Sequence, residues 1–181
     1  MTTSRLDAAT DAANTVDTLD WDEIYRALLP RVYRYFCYQV GEGQLAEDLT
    51  SATFEKAWRR RNRYRRNLSA FSTWVFTIAR NVAIDSFRTA KVELPVDPEL
   101  LPDNREPLPE TSILAKDDGR RLTTLLKSLS GRDLELLSLR YGADLSYAEI
   151  AEITSLTTTN VGVILHRMVK QLREAWEETD E

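Results

Sequence analysis

The chain has 181 residues, 43% of them hydrophobic and 29% charged, and a net charge of −5, which describes an ordinary globular protein of one large or two small domains. It has no Gly-rich phosphate loop, and its single histidine and single cysteine leave little material for a zinc site or a Cys–His nucleophile, so we expect neither an enzyme nor a metal or cofactor site. It contains no apolar run of about 18 residues and no signal peptide, so we expect a cytoplasmic protein without membrane insertion.

Two amphipathic helices are predicted near the start of the chain, after a polar, flexible tail at residues 1–20. In the first helix, Ile24, Leu28 and Val32 share one face, and Gly41 is expected to end the helix. The second helix is expected to begin near residue 45 and to end near residue 58. Acidic residues in its first turn suit the helix dipole.

An arginine-rich segment follows the second helix, because six of the eight residues 59–66 are arginine. Tyr64 lies within this segment, and Phe71 and Trp74 follow closely. Arginines that pair with phosphates, beside aromatic rings that stack on bases, suit single-stranded or distorted nucleic acid. The alternative is that the arginines are a solvated face and the aromatic residues are core, and we expect Trp58 and Trp74 to be mostly core. An electrostatic role for the arginines is favoured, because clustered like charges repel each other without an anionic partner.

A third helix is predicted from Phe71 to about residue 90, and residues 92–118 are expected to form an extended linker. This linker contains five of the six prolines, and it has two Lys or Arg residues against eight Asp or Glu residues. A segment so rich in proline and acid does not hold a regular helix. The net negative charge is therefore concentrated between two helical blocks.

Residues 145–167 have the layout of a helix-turn-helix, which is the most informative feature of the chain. Ser146 and Glu149 form a Ser-x-x-Glu capping box for its first helix. Ser155 stands where this motif usually has a left-handed glycine, a mismatch of about 1 kcal/mol. Two amphipathic helices joined by a turn also occur in bundles that bind no DNA, so this segment alone leaves both interpretations open.

The second helix of this motif would carry the DNA-reading surface. Thr157 or Thr158 can cap it, and its apolar stripe leaves an outward set available to base edges: Thr158, Asn160, Gly162, Val163 and His166. Gly162 and Val163 offer no side-chain hydrogen bonds, so the polar residues and Arg167 would matter more, alongside apolar contact with thymine methyl groups. His166 is equally compatible with a phosphate contact and with a solvent-facing position.

Five segments together resemble a bacterial RNA polymerase sigma factor of the small extracytoplasmic-function (ECF) type, group 4 of the sigma-70 family. They are LPRVYRY at 29–35, AEDLT at 46–50, FEKAW at 54–58, WVFTIARNVAID at 74–85 and LSYAEIA at 145–151. Each segment is modest alone, and their order and spacing make the combination specific. The resemblance covers residues 21–90 and 119–176. It implies two small all-α domains, a region 2 bundle at 21–91 and a region 4 helix-turn-helix domain at 119–177, joined by the linker at 92–118.

The resemblance implies no catalysis and three binding surfaces. The clamp helices of the polymerase core would contact the second helix, through Glu47, Asp48, Leu49, Phe54 and Trp58. The minus-ten promoter element would be recognised and opened, with one base flipped out, by Arg60, Arg61, Arg63, Tyr64, Arg65, Arg66, Phe71, Ser72, Trp74, Arg80 and Asn81. The minus-thirty-five duplex would be read by Thr157, Thr158, Asn160, Val161, Val163, His166, Arg167 and Lys170.

The same resemblance implies how the remaining parts are arranged on the polymerase. The second domain would rest on the polymerase flap, and the linker would run through the active-site and RNA-exit channels, where an acidic extended strand can mimic nucleic acid. Promoter DNA would be met both as duplex and as melted single strand. An anti-sigma factor is a further implied partner.

One position departs from the family pattern. Ala52 stands where small sigma factors usually have an acidic residue after the Glu-Asp pair, and three hydroxyl residues flank it: Thr50, Ser51 and Thr53. We hypothesise weaker binding to the polymerase clamp, or a need for added charge such as phosphorylation at one of these hydroxyls. The alternative is that neighbouring contacts compensate.

Two other functions stay open from the sequence. A helix-turn-helix regulator with a sensing first block would bind an operator unaided, as a dimer on a two-fold site. A helical interaction module would bind no nucleic acid. The arginine-rich segment, with Trp74 and Asn81 after it, favours the sigma-factor interpretation, because a sensor domain has no need of these residues.

Overall fold

The structure is a computed structural model that describes residues 21–65, 68–93, 119, 121–122 and 124–178. Every regular element within these ranges is helical, which confirms the all-α prediction. None of the helices in these ranges combines the length and apolar character needed to cross a membrane. The predicted tail at 1–20, residues 94–118 of the predicted linker, and Arg66 lie outside the described residues.

Three long helices, here called the first body, form the N-terminal half of the described chain. They are α1 (Trp21–Val40), α2 (Gln44–Arg60) and α3 (Phe71–Glu93). Gly41 ends α1 as predicted: its φ of 84° is left-handed, and its N–H donates to the carbonyl oxygen of Cys37 at 2.9 Å. The apolar faces of the helices meet in a shared core that includes Leu28, Val32, Tyr35, Phe36, Ala46, Leu49, Phe54, Ala57, Val75, Phe76, Ala79 and Val82.

The end of α3 corrects one predicted boundary. The linker was expected to begin at residue 92, but α3 continues to Glu93. The first proline of the linker is Pro95, which restricts the backbone of the residue before it and no earlier one. Residues 92 and 93 can therefore remain helical.

The second body is built from short helices that surround the predicted helix-turn-helix. Residues 124–127 are helical, and α4 (Gly131–Leu137) follows, continued by a π-helical turn (Ser138–Gly142). Ser130 caps α4, because its hydroxyl oxygen accepts a hydrogen bond from the N–H of Asp133 at 3.2 Å.

The helix-turn-helix consists of α5 (Tyr147–Thr154) and α6 (Thr158–Glu178). The side chains that join these two helices to each other and to α4 are buried: Leu136, Leu137, Leu139, Leu145, Ile150, Ile153, Val161, Leu165 and Met168. This core fixes which face of α6 remains exposed. The predicted motif is therefore present as a folded unit.

The two bodies pack against each other through the π-helical turn, which lies on α1. Gly142 approaches α1 so closely that a Cβ there would lie 2.9 Å from the Cα of Tyr35 and 3.0 Å from the carbonyl oxygen of Arg34. A single hydrophobic core therefore runs through both bodies. The sequence predicted the two bodies without predicting this contact between them.

Candidate nucleic-acid interface

The arginine-rich segment lies at the end of α2 and in a 3₁₀ turn (Arg61–Arg63). Arg60 and Arg63 are exposed, so their guanidinium groups face solvent. Arg61 instead lies over the ring of Trp58, 3.9 Å from its centroid, and donates to the carbonyl oxygen of Trp58 at 2.9 Å. The segment thus offers solvent-facing cations, Arg60 and Arg63 among them, beside an arginine already stacked on an aromatic ring.

Trp58 does not occupy the core position that was expected. Its side chain is 45% exposed, so the prediction that it is mostly core is wrong. The reason is its place in the last turn of α2, where one neighbour is the edge of Trp21 at 5.1 Å and another is the guanidinium group of Arg61. Trp74, by contrast, is half-buried against the core.

Tyr64 anchors the loop between the 3₁₀ turn and α3. Its ring packs at 4.8 Å from Phe71 and 5.5 Å from Trp74, and its hydroxyl donates to the carbonyl oxygen of Ser69 at 3.0 Å. Only 3% of Tyr64 is exposed, so its ring faces the neighbouring aromatic residues in this structure, and its place in the minus-ten set stays a prediction. Phe71 and Trp74 are partly exposed beside it.

Three predicted minus-ten residues lie along α3. Asn81 is exposed. The hydroxyl of Ser72 donates to Oε1 of Glu149 at 3.1 Å, and Nε of Arg80 lies 2.7 Å from Oε1 of Glu135. Both carboxylates belong to the second body. We call the exposed side of the 3₁₀ turn and α3 that carries the predicted minus-ten residues the minus-ten surface.

The predicted polymerase-binding residues divide into exposed and buried ones. Glu47 and Asp48 are exposed in the first turns of α2, and Trp58 is exposed at its end. Leu49 and Phe54 are each only 6% exposed and belong to the hydrophobic core, and their assignment to a polymerase contact stays a prediction. A shallow groove lies beside Glu47, between α1 and α2, lined also by Leu29, Pro30, Tyr33, Thr50 and Ser51.

The hydroxyls considered for phosphorylation also divide by burial. The Thr50 hydroxyl donates to the carbonyl oxygen of Ala46 at 2.7 Å, and the Thr53 hydroxyl donates to that of Leu49 at 2.8 Å. Both threonines are buried. Ser51 is exposed, so it is the one of the three that a kinase could reach without unfolding α2.

The helix-turn-helix has the predicted local geometry. The N–H and the hydroxyl of Ser146 both donate to Oε2 of Glu149 at 2.8 Å, and the N–H of Glu149 donates back to the Ser146 hydroxyl at 3.3 Å, which confirms the capping box. Ser155 adopts the left-handed conformation that was predicted, with φ of 59°. Thr157, rather than Thr158, caps α6 by accepting from the N–H of Asn160 at 3.2 Å.

One face of α6 is exposed along several turns. It carries Thr158, Asn160, Val163, His166, Arg167 and Lys170. Val163 is 62% exposed in the middle of this face, and Lys170 pairs loosely with Glu174 at 3.6 Å. Val161 is 0% exposed and belongs to the hydrophobic core, and its assignment to a DNA contact stays a prediction.

No metal centre can be assigned within the described part of the chain. There, no three or more His, Cys, Asp or Glu side chains are grouped so that they could hold an ion. Cys37 is half-buried, and burial raises the pKa of its thiol. A raised pKa keeps the sulfur protonated at neutral pH, which makes it a weak nucleophile and a weak ligand.

Several residues at the contact between the bodies were not predicted. Arg31 donates through Nε to the carbonyl oxygen of Ala143 at 2.8 Å and through Nη2 to that of Asp144 at 3.1 Å, and Glu135 pairs with Arg80. The partners are 112, 113 and 55 positions apart. Helical periodicity and capping patterns report only neighbours within a few turns, so they carry no signal for such pairs.

Comparison with known proteins places both bodies in one family. The family model for sigma-70 region 2 matches residues 24–92, and that for sigma-70 region 4 matches residues 119–172. The ECF RNA polymerase sigma factor BldN of Streptomyces coelicolor is 34% identical over 151 residues, which cover 82% of this chain and 57% of BldN. The RNA polymerase sigma factor CarQ of Myxococcus xanthus is 30% identical over 159 residues, which cover 85% of this chain and 87% of CarQ.

A solved structure has a similar fold. It is the sigma factor RpoE in complex with the anti-sigma factor NepR from Bartonella quintana, which matches with a TM-score of 0.68 at 21% identity, over 87% of this chain and 97% of that one. This likeness concerns the fold. The family models and the similarity to CarQ and BldN go further, and they show that the chain belongs to the ECF group of RNA polymerase sigma factors.

Proposed function

We propose that this chain binds the RNA polymerase core and directs promoter-specific initiation, by recognising minus-ten and minus-thirty-five elements and helping to open the DNA. The observation that carries the proposal is the combination, on one chain, of an exposed helix-turn-helix face, an arginine-rich turn and an exposed Asn81. A helix in the major groove reads duplex DNA, whereas Arg and Asn beside aromatic rings suit unpaired bases. In this proposal the chain acts in the cytoplasm and only binds polymerase and DNA. The polymerase catalyses RNA synthesis.

In this proposal residues 21–91 act as region 2. Arg60 and Arg63 hold the backbone of the melted strand, and Asn81 hydrogen-bonds a base edge, since all three are exposed. The partly exposed rings of Phe71 and Trp74 border this surface and offer stacking area. Tyr64 contributes by holding the loop in place through its hydrogen bond to Ser69.

The polymerase surface in this proposal lies on α2. Glu47 and Asp48 are exposed carboxylates beside the shallow groove between α1 and α2, and a partner side chain can enter that groove. Exposed charges favour orientation and fast association, and the apolar lining of the groove adds contact area. Trp58 provides a further exposed ring at the other end of α2, within contact of Arg61.

Residues 119–177 act as region 4 in this proposal. The exposed face of α6 enters the major groove of the minus-thirty-five duplex, where Asn160 and Arg167 can pair with base edges or phosphates. The remaining surface of this body rests on the polymerase flap. Because the solved neighbour is a sigma factor bound to an anti-sigma factor, we include an anti-sigma partner for this chain in the proposal.

The test is transcription with purified core polymerase, followed by sequencing of the transcript starts. We expect the full chain to produce promoter-specific starts that core polymerase alone does not make. Asn81→Ala should lower open-complex formation while keeping core binding, and Thr89→Ala, on the same helix, is the matched control. If the chain instead binds an operator alone and changes only the starts made by another sigma factor, the proposal is wrong.

A further inference from the structure

The start of α1 contributes an aromatic ring beside the minus-ten surface. The centroid of the Trp21 ring lies 5.1 Å from that of Trp58 and 5.9 Å from that of Phe71. Interplanar angles of 64° and 84° make both contacts T-shaped, which is a favoured arrangement of aromatic pairs. Trp21 lies before residues 24–92, which match sigma-70 region 2, so membership of the family assigns it no role.

The rings that Trp21 contacts lie at the two ends of the connection between α2 and α3. Trp58 is in the last turn of α2, directly before the 3₁₀ turn that contains Arg61 and Arg63. Phe71 is the first residue of α3. Trp21 therefore joins the point where the chain enters this connection to the point where it leaves.

Further contacts extend this arrangement on both sides. Phe71 lies 4.8 Å from Tyr64 and 5.2 Å from Trp74, and the guanidinium group of Arg61 lies 3.9 Å from the ring of Trp58. These contacts run from the 3₁₀ turn to the first turn of α3. We call the following rings the aromatic cluster: Trp21, Trp58, Tyr64, Phe71 and Trp74.

We propose that Trp21 is a positioning residue for the capture of the unpaired minus-ten strand, which it serves by holding Trp58 and Phe71 in place. This proposal rests on the proposed function, which assigns the surrounding residues to the minus-ten surface. Trp21 itself contacts no DNA in this proposal. Its support is α1, which is fixed in the core of the first body by the buried side chains of Leu28 and Val32.

The physical basis is pre-organisation of the residues that meet the strand. A segment already held in its binding geometry loses less conformational freedom when a ligand binds, so the affinity is higher. An aliphatic side chain at position 21 would leave Trp58 and Phe71 without the ring that both contact. The strand would then have to order these residues on binding, and this cost should not depend on the base sequence.

The test compares variants of α1 in complete holoenzyme, formed at saturating core polymerase. The probe is a dye-labelled single strand with the minus-ten element of a promoter found by sequencing transcript starts, and fluorescence anisotropy is read at one stated salt concentration. We expect Trp21→Leu to weaken binding of this strand about fivefold, which corresponds to about 1 kcal/mol. Trp21→Phe keeps an aromatic ring at this place and should restore most of the affinity.

Tyr25→Leu is the matched control. Tyr25 lies four positions after Trp21 on the same side of α1, and its ring makes a T-shaped contact with Phe54 at 4.7 Å. The substitution therefore removes a similar contact between α1 and α2 and leaves the aromatic cluster intact. Its affinity for the strand should equal that of the wild-type chain.

The affinity for core polymerase separates positioning from a loss of holoenzyme. Trp21→Leu should bind core as the wild-type chain does, because the exposed Glu47 and Asp48 lie at the opposite end of α2 from Trp58. Circular dichroism reports whether the helices remain. If Trp21→Leu loses helical content, Trp21→Met replaces it, because a flexible thioether fills more of the space without supplying a ring.

Two further measurements identify the route of the effect. In a chain that carries Phe71→Leu, Trp21→Leu should cause little additional loss, since the contact with Phe71 is already absent. Single-base changes in the strand should weaken binding of Trp21→Leu and of wild type by the same factor. Asn81→Ala, which removes a proposed base contact, should instead reduce discrimination at one position.

Several outcomes overturn the proposal. They are wild-type affinity for the strand in Trp21→Leu, no restoration by Trp21→Phe, an equal loss in Tyr25→Leu, a matching loss of core affinity in Trp21→Leu, an undiminished effect of Trp21→Leu in the Phe71→Leu chain, and an altered base preference in Trp21→Leu. Failure of the proposed function is distinguished separately, because the wild-type holoenzyme would then make no promoter-specific starts.

Discussion

The hydroxyl of Ser72 in the first body donates to one carboxylate oxygen of Glu149, and the other oxygen of Glu149 closes the capping box of α5. One side chain therefore satisfies two requirements, the start of the first helix of the helix-turn-helix and the contact between the bodies. The contact and the cap are coupled, because each depends on the same rotamer and the same negative charge. Changes at Glu149 should accordingly affect both local stability and packing of the bodies.

The pKa of Glu149 predicts a specific sensitivity to acid. Burial raises this pKa, but hydrogen bonds from the N–H and hydroxyl of Ser146 and from the hydroxyl of Ser72 outweigh it, and the net pKa lies below its ordinary value of 4.5. Since the carboxyl group is more acidic in the folded chain, its ionised form stabilises the fold at higher pH, and this contribution is lost as the pH falls below about 4.5. Thermal unfolding as a function of pH measures the effect.

Glu149→Gln should flatten this part of the pH profile, because it removes the titrating group and keeps a side chain of the same shape. Glu152→Gln is the matched control, since Glu152 is exposed on the same helix. We expect the control to retain the wild-type loss of stability in acid. Equal profiles for wild type and Glu149→Gln would contradict the assignment.

The left-handed backbone at Ser155 leads us to expect that glycine at this position stabilises the fold. Its φ of 59° is a left-handed conformation that disfavours every residue with a Cβ. Ser155→Gly removes this strain, partly offset by the greater freedom of glycine in the unfolded chain, so we expect a gain of about 0.5–1 kcal/mol in the free energy of unfolding. Ser155→Ala, which keeps the Cβ, should give little or none of this gain. Urea unfolding of the three chains is the measurement, and a destabilised glycine variant would show that the strain is absent.

The sequence predicted local structure well and predicted burial at individual positions less well. The capping box at Ser146, the left-handed turn at Ser155 and the end of α1 at Gly41 all follow from chemistry within four residues, and all three are confirmed. Tyr64 and Val161 were assigned to DNA, and both are buried, because a side chain of suitable chemistry can equally pack inward when its neighbours leave room. That choice depends on the tertiary fold.

The contact between the bodies also depends on the tertiary fold, so it could not be predicted from the sequence. Gly142 was one of six scattered glycines in the sequence, and no local turn requires it. Its constraint comes from Tyr35, more than a hundred positions away. Composition and helical periodicity depend on residues that are near in sequence, so neither predicts a contact between residues this far apart.

The side chain at position 52 is expected to affect the affinity for core polymerase. In the proposed function this surface lacks one carboxylate, and Ala52 is only half-buried on α2, so a longer side chain can reach solvent. Ala52→Glu should tighten binding to core polymerase, and Ala52→Gln, with the same shape and no charge, should not. Ser51→Asp is the corresponding test for phosphorylation, because Ser51 is the exposed hydroxyl beside this position. If the Glu and Gln variants bind core equally, neighbouring contacts already compensate for the missing charge.

The exposed side chain of Val163 leads us to expect a preference for thymine at one position of the minus-thirty-five element. It is 62% exposed at the centre of the otherwise polar face of α6, and an apolar side chain there can contact the 5-methyl group of thymine in the major groove. Removing one buried methyl group from such a contact costs about 0.8 kcal/mol, which is roughly a fourfold change in affinity. We therefore expect deoxyuridine in place of one particular thymine to weaken minus-thirty-five binding by this factor.

The same base change should have little effect on the Val163→Ala chain, which has lost the protein side of the contact. Val163→Thr is the matched control for shape, because it replaces one methyl group with a hydroxyl and keeps the branched side chain. The measurement is holoenzyme binding to duplexes that carry deoxyuridine at each minus-thirty-five thymine in turn. Equal sensitivity to deoxyuridine in the wild-type and alanine chains would mean that Val163 does not read the methyl group, and Asn160 and Arg167 would then account for recognition by that helix.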